Sequence, residues 1–107
     1  MKIVVVNWNH SDVLRRNLAN LQGEGLLDSV VVVDNGSTDD SVRVAQEYNV
    51  ELMALPSNVG YGAANDIAMK STSDDVALLL NSEVVSRSKL KVRQQHRHQV
   101  IVLPRVD

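Results

Sequence analysis

The decapeptide Val31 to Asp40, VVVDNGSTDD, carries a run suited to burial into a carboxylate, Asp34, and then at once into Asn35, Gly36, Ser37 and Thr38. An unpaired charge at the edge of an apolar run is costly, so Asp34 must find water, a partner or a ligand. Three other apolar runs end in the same manner. Ile3 to Val6 meets Asn7, Trp8 and Asn9; Leu52 to Leu55 is followed by Ser57 and Asn58; Val76 to Leu80 is followed by Asn81, Ser82 and Glu83. Amides, hydroxyls and carboxylates at such positions offer both donors and acceptors to a polar ligand. In NVGYGAAND, Gly60 and Gly62 form a broken dinucleotide fingerprint, with Asn65 in place of the third glycine and a position after the third run instead of the first. A helix starting there presents free N–H groups that favour an anion.

These residues need elements to hold them. The four apolar runs are rich in β-branched residues or leucine and do not alternate with polar ones, the habit of strands covered on both faces in a parallel sheet. Helical spacing fills the gaps. Leu14, Leu18 and Leu21 recur at i, i+4 and i+7 behind Ser11 or Asp12 as a cap, and Gly23 and Gly25 supply a stop. A second helix starts near Ser37 to Asp40, with Ser37 as its cap, and is expected to bury Val42, Ala45 and Tyr48. In a third, Ala64, Ile67 and Ala68 form a small-residue stripe for close approach to the sheet. The order β-α-β-α-β-α-β with right-handed crossovers predicts an α/β sandwich with helices on both sheet faces. In such sheets ligands collect beyond the carboxyl ends of the strands, so the four polar tips are expected to converge on one crevice.

IVVVNWN, VVVDNGSTDDS, NVGYGAAND and LLLNSEV, in this order and at these intervals, resemble the N-terminal half of a family-two, GT-A-fold glycosyltransferase of the rhamnosyltransferase-like branch. The resemblance covers residues 3 to about 85. It implies a truncated GT-A-like, Rossmann-related three-layer sandwich with a mainly parallel sheet, binding a UDP- or dTDP-sugar. It further implies that Asp34 accepts the N3–H of a uracil or thymine; the alternative is that Asp34 bonds the turn around Gly36. Trp8, the sole Trp, would lie beside the base or plug the core or an interface, and Asn7 and Asn9 would close the base pocket or satisfy their own turn. Asn35, Asn58, Asn65 and Ser82 complete the nucleotide-binding set. Glu83 stands where the family carries its final metal-binding Asp, and would take Mg²⁺ or Mn²⁺ or be an ordinary solvated carboxylate. The family's acceptor-binding half and general base lie beyond that motif, so no catalytic residue is assigned and turnover by this chain alone is not expected.

The remaining numbers bound these expectations. With 107 residues, 44% apolar and 22% charged, the chain is of the size of one small domain with an aliphatic core: it has one Trp, two Tyr and no Phe. No cysteine is present, which excludes disulfides and thiolate metal sites. No apolar run is long enough to span a membrane, so the expected setting is the cytoplasm. Residues 1–86 hold five basic and twelve acidic side chains, net −7, whereas residues 87–107 hold six and one, net +5. The division is therefore residues 1–85, a nucleotide-sugar-binding half, and residues 86–107, a basic tail whose QVIVL at 99–103 could add a strand. Without interleaved aromatics the tail does not suit nucleic acid, and His96 and His98 lack further metal ligands nearby. It suits an acidic surface of this subunit or a neighbouring one, hence a homo-oligomer. The competing functional class is a non-catalytic oligomeric interaction module that keeps the nucleotide-binding scaffold.

Overall fold

The computed structural model describes residues 2–71 and, as backbone, the strand at 76–80. Four parallel strands, β1 (Lys2–Asn7), β2 (Val30–Asp34), β3 (Glu51–Ala54) and β4 (Val76–Leu80), lie in the order β3-β2-β1-β4. Helices α1 (Ser11–Gly23), α2 (Ser41–Glu47) and α3 (Tyr61–Lys70) make the crossovers, with a single 3₁₀ turn at Leu27–Ser29 before β2. The expected α/β sandwich and its element order are therefore present. Residues 86–107, with the expected strand at 99–103 and with His96 and His98, lie outside the described residues.

β1 and β2 form the centre because both faces of each are covered. Ile3, Val5, Val30 and Val32 pack on one side with Leu14, Leu18 and Leu21 of α1 and Val44 and Ala45 of α2. Val4, Val6 and Val33 pack on the other with Ala64 and Ala68 of α3. The alternation follows from the two-residue repeat of a strand, and the β-branched side chains suit the pleated surface. Two crossovers step from β1 to β2 to β3 with helices on one face; the third passes over the opposite face to β4, on the far side of β1. The order thus reverses between β1 and β4, and the crevice above that reversal is where open α/β sheets bind ligands.

Sequence expectations differ from the fold at several points, among them β3, which runs one residue earlier than Leu52 to Leu55, and Ile67, which is only half-buried beside Ala64 and Ala68. β3 is an edge strand covered only in part: Leu52 packs on the α1 and α2 side and Met53 on the α3 side, both half-buried, while Glu51 and Ala54 are exposed. Helix α2 begins at Ser41, just after the expected Ser37 to Asp40; Ala45 is buried and Tyr48 packs against the core as expected, but Val44 is buried in place of Val42, which is half-buried. Ser11 is the first residue of α1, not its cap, and neither Ser11 nor Asp12 caps that helix through its side chain. Ser37 does not cap α2. The stop of α1 fits: Gly25 takes φ +71°, the Leu26 N–H bonds to Leu21 O at 2.9 Å and the Gly25 N–H to Gln22 O at 3.0 Å, a Schellman ending.

Candidate functional site

The site is assembled where β1 and β2 end. Asn7 and Asp34 are partners in the parallel register, and both are buried although polar. Their burial is compensated locally. The Asn7 amide donates to Asp34 Oδ1 at 3.1 Å, the Ser37 hydroxyl donates to the same oxygen at 2.7 Å, and the Ser37 backbone N–H donates to Asp34 Oδ2 at 2.9 Å. Charge-assisted bonds of this kind offset the desolvation of the carboxylate. Asp34 therefore holds the turn around Gly36, the alternative left open by the sequence, and does so from the strand tip expected to face ligand.

Ser37 joins the neighbouring loop to this turn. Its hydroxyl oxygen accepts the backbone N–H of Asn9 at 2.9 Å and stands 3.4 Å from the Asn7 amide. Asn9, in the left-handed region at φ +52°, accepts through Oδ1 from the Thr38 N–H at 2.7 Å and the Asp39 N–H at 3.4 Å. The β1–α1 and β2–α2 loops are thereby fastened together. Trp8 sits between the two anchored asparagines with 40% of its surface exposed, so it is not a core plug. Such a ring is free to offer a face to a ligand.

Asn35 ties in the third loop. Its amide donates to Asn58 Oδ1 at 2.9 Å and its own Oδ1 accepts the Val59 N–H at 2.9 Å; Asn58 Oδ1 also accepts the Gly60 N–H at 2.8 Å. The β3–α3 loop is thus drawn against the turn of Gly36. The approach is so close that a Cβ on Gly36 would stand 2.6 Å from Ser57 C and 2.7 Å from Asn58 N, and its φ of +77° also favours glycine. Gly60, at φ +85°, stands before the first turn of α3, which no side chain caps.

Asn65, on the second turn of α3, is not hydrogen-bonded to this assembly; its Oδ1 is buried without a donor. A buried acceptor left open costs about 1–3 kcal/mol unless a ligand or water meets it. Of the expected site residues, Asn7, Asn9, Asp34, Asn35 and Asn58 are brought together, Trp8 adjoins them, and Ser82 and Glu83 lie outside the described residues. Among the described residues no group of three His, Asp or Glu could hold a metal. No helix among them is long and apolar enough to cross a membrane.

Two residues were missed as site organisers. Ser37 is the hub just described, and its signal was the Asp-x-x-Ser spacing from Asp34, which suits a side-chain-stabilised turn. Asp39 accepts the Ser11 N–H through Oδ2 at 3.0 Å and the Ser41 N–H through Oδ1 at 3.0 Å, so it serves the first residues of α1 and α2 together. Partial burial pushes its carboxyl up, but the bonds from Ser41 and Ser11 outweigh this and hold it below the usual range. Its link to α1 spans 28 residues and has no local signature.

Three loops are bound into one polar edge beyond the carboxyl ends of β1, β2 and β3, with an exposed aromatic beside them, so amides, a carboxylate and a ring stand together there. No curated protein matches the chain. Residues 2–96 match the model of Glycosyl transferase family 2. That match takes in every element described above, and the chain accordingly belongs to glycosyl transferase family 2.

Proposed function

We propose that this edge binds the nucleoside diphosphate of a pyrimidine sugar donor, UDP- or dTDP-linked, within a glycosyltransferase of the rhamnosyltransferase-like branch. The observation that carries the reading is the fastening of the β1–α1, β2–α2 and β3–α3 loops into one assembly around Asp34 and Asn35. In this reading Asp34 accepts the imide N–H of the base and Trp8 stacks on its ring. Asn7, Asn9, Asn35 and Asn58 keep the loops in place, while the uncapped first turn of α3 favours the diphosphate. The open Oδ1 of Asn65 suits a hydroxyl of the ligand.

Residues 1–85 constitute the binding half in this account, with Ser82 and Glu83 extending it. A Mg²⁺ or Mn²⁺ ion at Glu83 would neutralise phosphate charge when bound. Calorimetry with UDP and dTDP, with and without Mn²⁺, tests the reading. Binding with a Kd on the order of micromolar that is lost in Asp34→Ala supports it. No heat at millimolar nucleotide overturns it in favour of an interaction module.

A further inference from the structure

Asn35 is the only asparagine of the chain that is followed by glycine. Such a pair cyclises readily when unconstrained, because no side chain on the second residue hinders attack of its backbone nitrogen on the asparagine amide. In the fold Asn35 is pinned instead. It is 1% exposed, its backbone N–H donates to Asn7 O at 2.8 Å, its Nδ2 donates to Asn58 Oδ1 at 2.9 Å, and its Oδ1 accepts the Val59 N–H at 2.9 Å. The two side-chain bonds turn the amide toward the β3–α3 loop. Ring closure has to turn Cγ toward the Gly36 nitrogen and release Nδ2, so both bonds must break first.

We propose that Asn35 is a deamidation site held shut by the β3–α3 loop: each local opening of that loop exposes the Asn35–Gly36 pair to conversion, and the isoaspartyl product keeps the loop from closing again. In the first step the Gly36 nitrogen loses its proton and bonds to Asn35 Cγ, the Cγ–Nδ2 bond breaks, and Nδ2 leaves as ammonia. One water molecule then opens the succinimide, at Cγ to give an aspartyl residue or at the backbone carbonyl carbon to give an isoaspartyl one. The net change is amide plus water to acid plus ammonia, with no redox step. The aspartyl form keeps an acceptor for the Val59 N–H and loses the donor to Asn58. The isoaspartyl form also adds a methylene to the main chain beside Gly36, where a Cβ would already stand 2.6 Å from Ser57 C. That turn has no room for the longer chain.

The test incubates the full chain in mildly alkaline buffer, folded and unfolded in guanidinium chloride, and follows Asn35 by peptide mapping that separates the aspartyl and isoaspartyl forms. Conversion in the folded wild type should be at least about tenfold slower than in the unfolded chain. Asn58→Ala, which removes the acceptor of Nδ2, should speed it at least about threefold in a chain still folded by circular dichroism, and Asn58→Asp, which keeps an acceptor there, should hold it near the wild-type rate. Equal rates in the folded and unfolded wild type overturn the proposal whether or not the variants fold. So does an unchanged rate in a folded Asn58→Ala chain. The isoaspartyl fraction, once separated, should melt below the unconverted chain; equal melting overturns the claim that the loop stays open. None of these outcomes depends on nucleotide binding.

Discussion

Asn7 and Asp34 face each other as the last register pair of β1 and β2, and the Asn7 amide donates to Asp34 Oδ1 at 3.1 Å. A neutral amide beside a buried carboxylate lets the two central strands end in polar groups without an uncompensated charge. Asn7→Leu keeps the side chain's approximate volume but removes the donor. It should cost about 1–3 kcal/mol in urea unfolding, with the penalty falling on the unpaired acceptor. A change under a few tenths would mean that Asp34 does not need this partner.

Gly36 and Gly62 should respond to alanine with opposite signs. At Gly36 a Cβ meets the backbone of Ser57 and Asn58 at 2.6–2.7 Å and φ is +77°, so Gly36→Ala should destabilise by more than about 1 kcal/mol. At Gly62, inside α3, the space is open, and Gly62→Ala should stabilise by about 0.5–1 kcal/mol. Equilibrium unfolding of both variants checks the pair, and equal effects would contradict the loop packing.

Asp39 predicts a pH dependence. Its folded carboxyl is held below its usual value, so its contribution is present above the unfolded pKa, near 3.9, and is lost as pH falls through the folded one. Asp39→Ala should therefore cost about 0.5–2 kcal/mol at pH 7 through the lost bonds to Ser11 and Ser41. Thermal melts of wild type and variant should converge as pH drops below about 3.9. A gap of constant size down to pH 2 would show that the carboxylate charge is irrelevant.

Asn35 and Asn58 share a hydrogen bond at 2.9 Å, and both hold the β3–α3 loop. A double-mutant cycle with Asn35→Ala and Asn58→Ala should give a coupling of about 0.5–3 kcal/mol. Strict additivity would place the two side chains in separate roles.

Strand positions were legible because a central parallel strand needs apolar residues on both faces: Val76 to Leu80 is bounded as expected, and β1 and β2 gain only Lys2, Asn7 and Asp34 at their ends. Leu14, Leu18 and Leu21 likewise set the inner face of α1. The starts of the helices were not legible. The start of α1 is held by Asp39 across 28 residues, a tertiary contact that side-chain spacing cannot reveal, whereas the bond from Ser41 to Asp39 at α2 is local; in α2 the buried valine is Val44. The role of Asp34 was half-legible: its need for partners follows from its neighbours, but only the coordinates assign three of its lone pairs to Asn7 and Ser37.

Because Trp8 is exposed, Trp8→Ala should leave stability within about 0.5 kcal/mol while weakening UDP binding through the lost ring contact, worth about 0.5–1.5 kcal/mol. Calorimetric titration beside a thermal melt separates the two effects. A variant that binds UDP as the wild type does would remove Trp8 from the site.

In the proposed function a nucleotide occupies the joined tips of β1, β2 and the β3–α3 loop. Two-dimensional ¹⁵N NMR of the chain titrated with UDP tests it most directly. Shifts are expected at the Trp8 indole N–H, the backbone of residues 34–38, the side-chain amides of Asn35 and Asn58, and Gly60. Shifts confined to surfaces away from these groups, or none at millimolar UDP, would contradict it.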